Sequence, residues 1–143
     1  MTIKNINELE WKNGTNSYGE IWKFQDLSGE RLGVQIEELP PGGTSSTHHY
    51  HTLEEEHVLV LAGSATLVLG SAKLPLNTGD HICFIAGKEE AHHIENTTSE
   101  PFRFLVFGER NEQDVVVYPE KKTMMLKSLG WKTFKYQLPT DPN

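Results

Sequence analysis

Gly42 to Gly63 reads GGTSSTHHYHTLEEEHVLVLAG, a stretch in which histidines and three consecutive glutamates lie between glycine-marked turns. Successive side chains of an extended strand point to opposite faces. His49 and His51 therefore share one face, His48 and Tyr50 the other, and two imidazoles two residues apart make half of a chelate. Beyond the link Thr52 to Glu55, the residues Glu56, Val58, Val60 and Ala62 form a second period-2 row, which sets a carboxylate at the mouth of an apolar strand. An unbroken strand from His51 would place Glu55 in the histidine row, so bringing Glu56 there requires a turn or bulge in the link. Glu54 and Glu55 read as a solvated acidic edge, and either replaces Glu56 if the bend falls elsewhere.

The spacing of Gly43, His49, His51, Glu56 and Gly63, with five, one, four and six residues between them, resembles the first metal motif of the cupin family at every fixed position. A second, looser likeness runs from Gly79-Asp80 through Ala86-Gly87 to His92 and Asn96. Ile85 stands where that family has proline, and four residues rather than two separate Gly87 from His92. Two extra loop residues add little closure entropy, so the departure touches the turn more than the ligand. His93 is the rival to His92. By alternation His92 shares a face with Ile94 and His93 with Glu95, which favours His92 as the inward residue. The resemblance covers residues 31 to 108 and implies an all-β fold, a double-stranded β-helix or jelly-roll barrel. It also implies one divalent transition metal held by His49, His51, Glu56 and His92.

The rest of the chain agrees with such a fold. Trp22 and Phe24, in a row that begins at Tyr18 and Glu20, alternate with Gly19, Ile21 and Lys23, and Leu32, Val34 and Ile36 alternate with Gly33 and Gln35 before Pro40-Pro41-Gly42-Gly43 stops the strand. Residues 1 to 39, with Ile3, Ile6 and Leu9 at their start, read as strands rather than helices. Further strands are expected at Ala65 to Leu69, Lys73 to Leu76, His81 to Ile85, His92 to Asn96, Phe102 to Gly108 and Val115 to Tyr118. Turns recurring this often mark a sandwich or barrel. The expected organisation is one domain: residues 1–30 are N-terminal strands packing on the barrel, 31–118 the barrel, and 119–143 a C-terminal tail. In the tail, Thr123 to Leu126 and Gly130 to Tyr136 form edge strands or a short helix and a strand. Trp131, Phe134 and Tyr136 give the tail a reason to pack on the barrel or on a second copy, and a homodimer is expected.

Composition narrows the function. With 13 Lys and Arg against 20 Asp and Glu in 143 residues the net charge is −7, which disfavours nucleic acid as a partner. The N-terminus lacks the apolar core of a signal peptide, and no apolar run approaches the ~20 residues that cross a bilayer. The expected location is cytoplasmic, with no membrane partner. The single cysteine, Cys83, has no internal partner and, sharing a face with His81 and Ile85, reads as an inert core thiol. His48, His57, His81 and His93 read as surface residues or as residues that orient ligands. Tyr50, Trp22, Phe24 and Phe84 read as packing residues.

Imidazole with carboxylate suits Fe, Mn, Ni, Zn or Co and leaves a coordination position open for a small-molecule ligand or substrate. Two function classes follow. One is a metal-dependent enzyme acting on a small polar molecule, an isomerase, dioxygenase or lyase. The other is a non-catalytic module that binds or senses a small ligand such as a sugar. Between residues 48 and 109 only Lys73, Lys88 and Arg103 offer positive charge, which weakens a sugar phosphate as ligand. Strand-like residues rather than a helical DNA-binding segment precede the barrel, which favours the enzyme.

Overall fold

The computed structural model describes residues 1–15 and 20–139; Tyr18 and Gly19 of the first expected strand, and the tip 140–143, lie outside them. The strands in chain order are β1 (Lys12–Thr15), β2 (Ile21–Asp26), β3 (Leu32–Leu39), β4 (Tyr50–His51), β5 (Glu56–Ala62), β6 (Ser64–Leu69) and β7 (Ala72–Asn77). They continue with β8 (His81–Phe84), β9 (His92–Glu95), β10 (Phe102–Glu109), β11 (Val115–Tyr118), β12 (Thr123–Leu126) and β13 (Lys132–Lys135). One 3-10 turn, Lys127–Leu129, interrupts the tail. The described chain is all-β, as the alternation predicts.

One face of the molecule is a six-stranded antiparallel sheet in the order β1-β2-β3-β10-β5-β8. The other consists of a four-stranded sheet, β13-β12-β11-β4, and a three-stranded one, β7-β6-β9. Bridges from His49 to His92 and from Thr44 to Glu95 join these two edge to edge. Residues 42 to 49 thus run beside β9 without forming a regular strand, bonded by Gly42 N–H to Asn96 O (2.8 Å) and Ser45 N–H to Ile94 O (2.9 Å). Two facing sheets of this kind are the jelly roll.

The core lies between the faces. Leu39, Val58, Val60, Leu67, Phe102 and Phe104 are all buried, and Leu39 and Phe102 have no exposed surface. Val58 and Val60 come from the row that starts at Glu56, so the strand that fills the core is the one that carries the carboxylate. The row breaks at its far end. Pairing between β5 and β10 slips between Arg103 and Phe104, and Ala62, expected inward, is exposed. Gly63 makes the next turn at φ 89°, where a Cβ would stand 2.7 Å from the Pro101 carbonyl oxygen, so glycine is required on two counts.

Both chain ends join the sheets. β1 and β2 extend the six-stranded sheet, while the segment carrying Ile6 and Leu9 is a turn rather than the expected strand. Gln25 pins it by donating from Nε2 to the carbonyls of Ile6 and Leu9. In the tail, β12 pairs with β11 and β13 with β12, so it forms two strands, of which β13 is the sheet edge, with a short helical turn between them. Trp131, Phe134 and Leu138 remain exposed. Among the described residues no helix is long and apolar enough to cross a membrane.

Candidate metal centre

His49 ends the irregular segment beside β9, His51 lies in β4, Glu56 opens β5 and His92 opens β9. The fold brings all four to one place between the two faces. His49 and His51 ring centroids are 5.2 Å apart, those of His49 and His92 4.9 Å. Glu56 reaches both remaining imidazoles, with Oε2 3.8 Å from His51 Nε2 and Oε1 3.4 Å from His92 Nε2. One donor atom each from His49, His51 and Glu56 lies within 4.8 Å of the others. His93 is not part of the cluster: its Nδ1 sits 2.8 Å from His48 Nδ1 and its Nε2 3.0 Å from Glu95.

The break between His51 and Glu56 is present, and the residue that shapes it is Asp114. One carboxylate oxygen, Oδ1, accepts the Leu53 N–H (2.9 Å), the Glu54 N–H (3.3 Å) and the Thr52 hydroxyl (3.4 Å). The other, Oδ2, accepts the His51 Nδ1–H at 2.7 Å. A single buried carboxylate therefore folds the link and aims the imidazole.

Each histidine of the cluster is oriented through its Nδ1. His49 donates to the Thr47 carbonyl at 2.7 Å, His92 to the Glu90 carbonyl at 3.2 Å and His51 to Asp114. A carbonyl can only accept, so Nδ1 carries a proton in His49 and His92 and Nε2 is the nitrogen left to face the cluster. In His92 that Nε2 is buried and has no hydrogen-bond partner. An orphaned buried imidazole nitrogen beside a carboxylate, with the opposite ring nitrogen held by an acceptor, is the donor arrangement a divalent metal requires. Phe84 lies flat on the His92 ring at 3.5 Å between centroids and fixes its plane.

The electrostatics fit the same reading. Burial, followed by the charge of His92, holds the His49 imidazole down at about 3, so it is neutral and free to coordinate. Burial alone would push the Glu56 carboxyl up, but His92, His49 and His51 outweigh it and hold the group at about 2. For His51 burial disfavours the proton, yet the Asp114 bond and the Glu56 charge prevail and raise its pKa. Asp114 is held well below the carboxylate range because the His51 bond and the Leu53 N–H outweigh its burial.

A cavity of about 180 Å³ opens beside the cluster, lined by Trp22, Glu37, His49, Glu56, Phe84 and His92 among others. Among the described residues its lining contains no lysine or arginine. Glu37 stands opposite Phe104 on β10, and its carboxyl has no hydrogen bond or ion pair among the described residues. Burial, with the Glu56 charge, pushes it up to about 8. A smaller recess is lined by Tyr50, His51, Glu54, Lys88 and His92.

Two expectations are corrected here. Glu54 is buried rather than solvated, because its carboxylate pairs with the Lys127 ammonium and accepts the Asn111 N–H at 2.7 Å. Cys83 is exposed rather than core, because β8 is an edge strand and alternation turns its thiol away from the interior. Asp114, Lys127 and Glu37 carry no motif in the sequence. Asp114 is an isolated acid just ahead of an apolar strand, 63 residues from the histidine it orients.

A family model described as a Cupin domain matches residues 35–108. Among solved structures, the sugar phosphate isomerase from a cupin superfamily of Silicibacter pomeroyi is 26% identical, with a TM-score of 0.83 over 94% of this chain and 92% of that one. A structure from Acidithiobacillus ferrooxidans, provisionally named a sugar phosphate isomerase, is 25% identical, with a TM-score of 0.87 over 99% of this chain and 96% of that one. A predicted oxalate decarboxylase of Thermotoga maritima, 21% identical with a TM-score of 0.66 over 77% of this chain and all of that one, shares the fold. Among curated proteins none matches the chain.

Proposed function

Since the chain belongs to the Cupin domain family, we propose that it is a metal-dependent isomerase acting on a small hydroxycarbonyl compound of the sugar or sugar phosphate class. The observation that carries the metal reading is the set of Nδ1-anchored imidazoles around Glu56, with the buried Nε2 of His92 lacking any partner. The reaction class draws support from the two structures named as sugar phosphate isomerases, each of which covers nearly the whole chain.

His49, His51, Glu56 and His92 are the residues that hold the ion. When bound there, a divalent metal supplies Lewis acidity, which polarises a carbonyl and acidifies the neighbouring C–H. The remaining chemistry belongs to the chain. Glu37 faces the same cavity; its ionised form takes the proton from the carbon beside the carbonyl and its protonated form returns that proton to the neighbouring carbon, while the hydroxyl proton passes to the former carbonyl oxygen. Trp22 and Phe84 wall the cavity and keep water from the reacting carbon. Lys88, at the rim beside His51, is the counter-charge for a phosphate lying outside the cavity.

A second reading, a non-catalytic sugar-binding module, rests on the described lining of the cavity, which holds no lysine or arginine. The two are separated by incubating metal-loaded protein with aldose and ketose sugars, phosphorylated and not, in D2O. Deuterium incorporation at the carbon beside the carbonyl, lost in His92→Ala together with the metal, is expected. Metal and sugar bound without any exchange would assign the module instead, and wild-type protein that takes up no metal would overturn both the site and the isomerase.

A further inference from the structure

A second group of metal-ligating side chains lies on the opposite face of β5. Glu56, Val58 and Val60 point into the molecule, so His57 points out, and its cross-strand partner on β8 is Cys83. Glu55, His57 and Cys83 each place one donor atom within 4.8 Å of the other two. His57 Nε2 is the common centre, 2.8 Å from Glu55 Oε1 and 3.8 Å from Cys83 Sγ. The opposite nitrogen, Nδ1, is 3.0 Å from His81 Nε2. The His57 ring also lies parallel to Phe107, with centroids 5.0 Å apart and an interplanar angle of 9°, while His81 meets it roughly edge to edge.

From this geometry we propose that Glu55, His57 and Cys83 form a second, surface-exposed site for a zinc-like divalent metal, with His81 orienting the central imidazole. The donor chemistry sets it apart from the buried centre. A thiolate beside an imidazole and a carboxylate selects zinc and its near neighbours over the oxygen-preferring ions, and three protein donors leave the fourth tetrahedral position to water. With a metal on Nε2 the Nδ1–H of His57 donates to His81 Nε2, the outer hydrogen bond that ligating imidazoles ordinarily make. Binding displaces the proton of the Cys83 thiol, which leaves to solvent as the sulfur–metal bond forms. The site requires no rearrangement of the ladder, because β5 and β8 hold His57 and Cys83 directly opposite each other. A metal here ties the edge strand β8 to its neighbour, outside the cavity and with no part in it.

Cys83 is the one cysteine of the chain, which makes its thiol a clean reporter. The experiment is alkylation of the full-length protein by iodoacetamide with and without one to two equivalents of zinc, paired with a cobalt titration followed in the near ultraviolet. Zinc is expected to slow alkylation at least tenfold in the wild type and in His92→Ala, which removes the buried cluster, and to have no effect in His57→Gln. Cobalt is expected to give a thiolate charge-transfer band that Cys83→Ser abolishes, while Cys83→Ser keeps the equivalent bound at the buried centre. Alkylation indifferent to zinc in the wild type, protection lost in His92→Ala but kept in His57→Gln, or cobalt bound without a thiolate band would each overturn the proposal.

Discussion

Asp114 shows how much one side chain can decide. It has no exposed surface, yet it accepts hydrogen bonds from His51, Leu53 and Glu54 and lies 3.6 Å from the Lys127 ammonium. Asp114→Asn keeps the shape and removes the charge that fixes the His51 tautomer. Metal affinity is expected to fall about 10- to 100-fold, the usual range for such a partner, while the protein stays folded; calorimetric titration of the variant checks this, and an unchanged affinity would refute it. The titrating residues give the metal-free protein a defined acid sensitivity. His49 is held at about 3 against an ordinary 6.5, so between those values the unfolded chain binds the proton more readily and stability falls as pH falls. Glu56, at about 2 against 4.5, acts with the same sign at lower pH. His51 has the opposite sign, stabilising below 6.5 and ceasing to do so as pH rises through its raised value. Urea midpoints of the metal-free protein should therefore drop from pH 6.5 to pH 4, less steeply in His49→Gln; equal slopes in the two proteins would show that His49 is not the cause.

At the scale of the elements, the decisive feature is the break between β4 and β5. Alternation puts His49 and His51 on one face and predicts that Glu56 joins them only across a turn, and the structure has that turn. Its position is set from the neighbouring strand as well. Gly108 on β10 pairs with Glu56, and a Cβ there would overlap the Glu55 carbonyl oxygen and press on Glu56 Cα at 3.2 Å. Gly108→Ala must move the start of β5, and with it the carboxylate. Metal binding is expected to weaken by more than tenfold with a stability loss of only about 1–3 kcal/mol, the range of overpacking. Parallel metal titration and urea unfolding would decide it, since equal affinity would mean that β5 accommodates the methyl elsewhere. The same elements carry the core: Leu39→Ala, at a site with no exposed surface, should cost about 2–5 kcal/mol.

For the whole molecule, the cluster joins segments that are otherwise separate. His49 and His51 come before β5, Glu56 opens it, and His92 belongs to the edge of the three-stranded sheet. A ligand that binds all four only in the folded state stabilises the fold by mass action, about 2.7 kcal/mol at a hundredfold excess over its Kd. Removing the metal with a chelator should then lower Tm by roughly 5–10 °C for a domain of this size. In a Cys83→Ser background, which lacks the surface thiol, His92→Ala should be insensitive to the chelator, and a Tm of Cys83→Ser itself that does not move would mean the cluster binds nothing.

The sequence alone determined the all-β class, most strand positions and the shared face of His49 and His51, because these rest on local regularities, while Glu56 and His92 came from the resemblance to the family's motifs and are brought beside them by the fold. Period-2 alternation, turn residues and a closely spaced motif are written within a few residues of one another. Even the preference for His92 over His93 follows from which neighbour shares its face. The roles of Asp114, Lys127 and Glu37, the burial of Glu54 and the exposure of Cys83 depended on tertiary structure. Each is settled by what a distant strand places against it: Val115 and the turn before it against Thr52, Lys127 against Glu54, and an open sheet edge beside β8. A carboxylate's neighbours across 60 residues leave no periodic trace in the chain, since only folding sets them within hydrogen-bond reach.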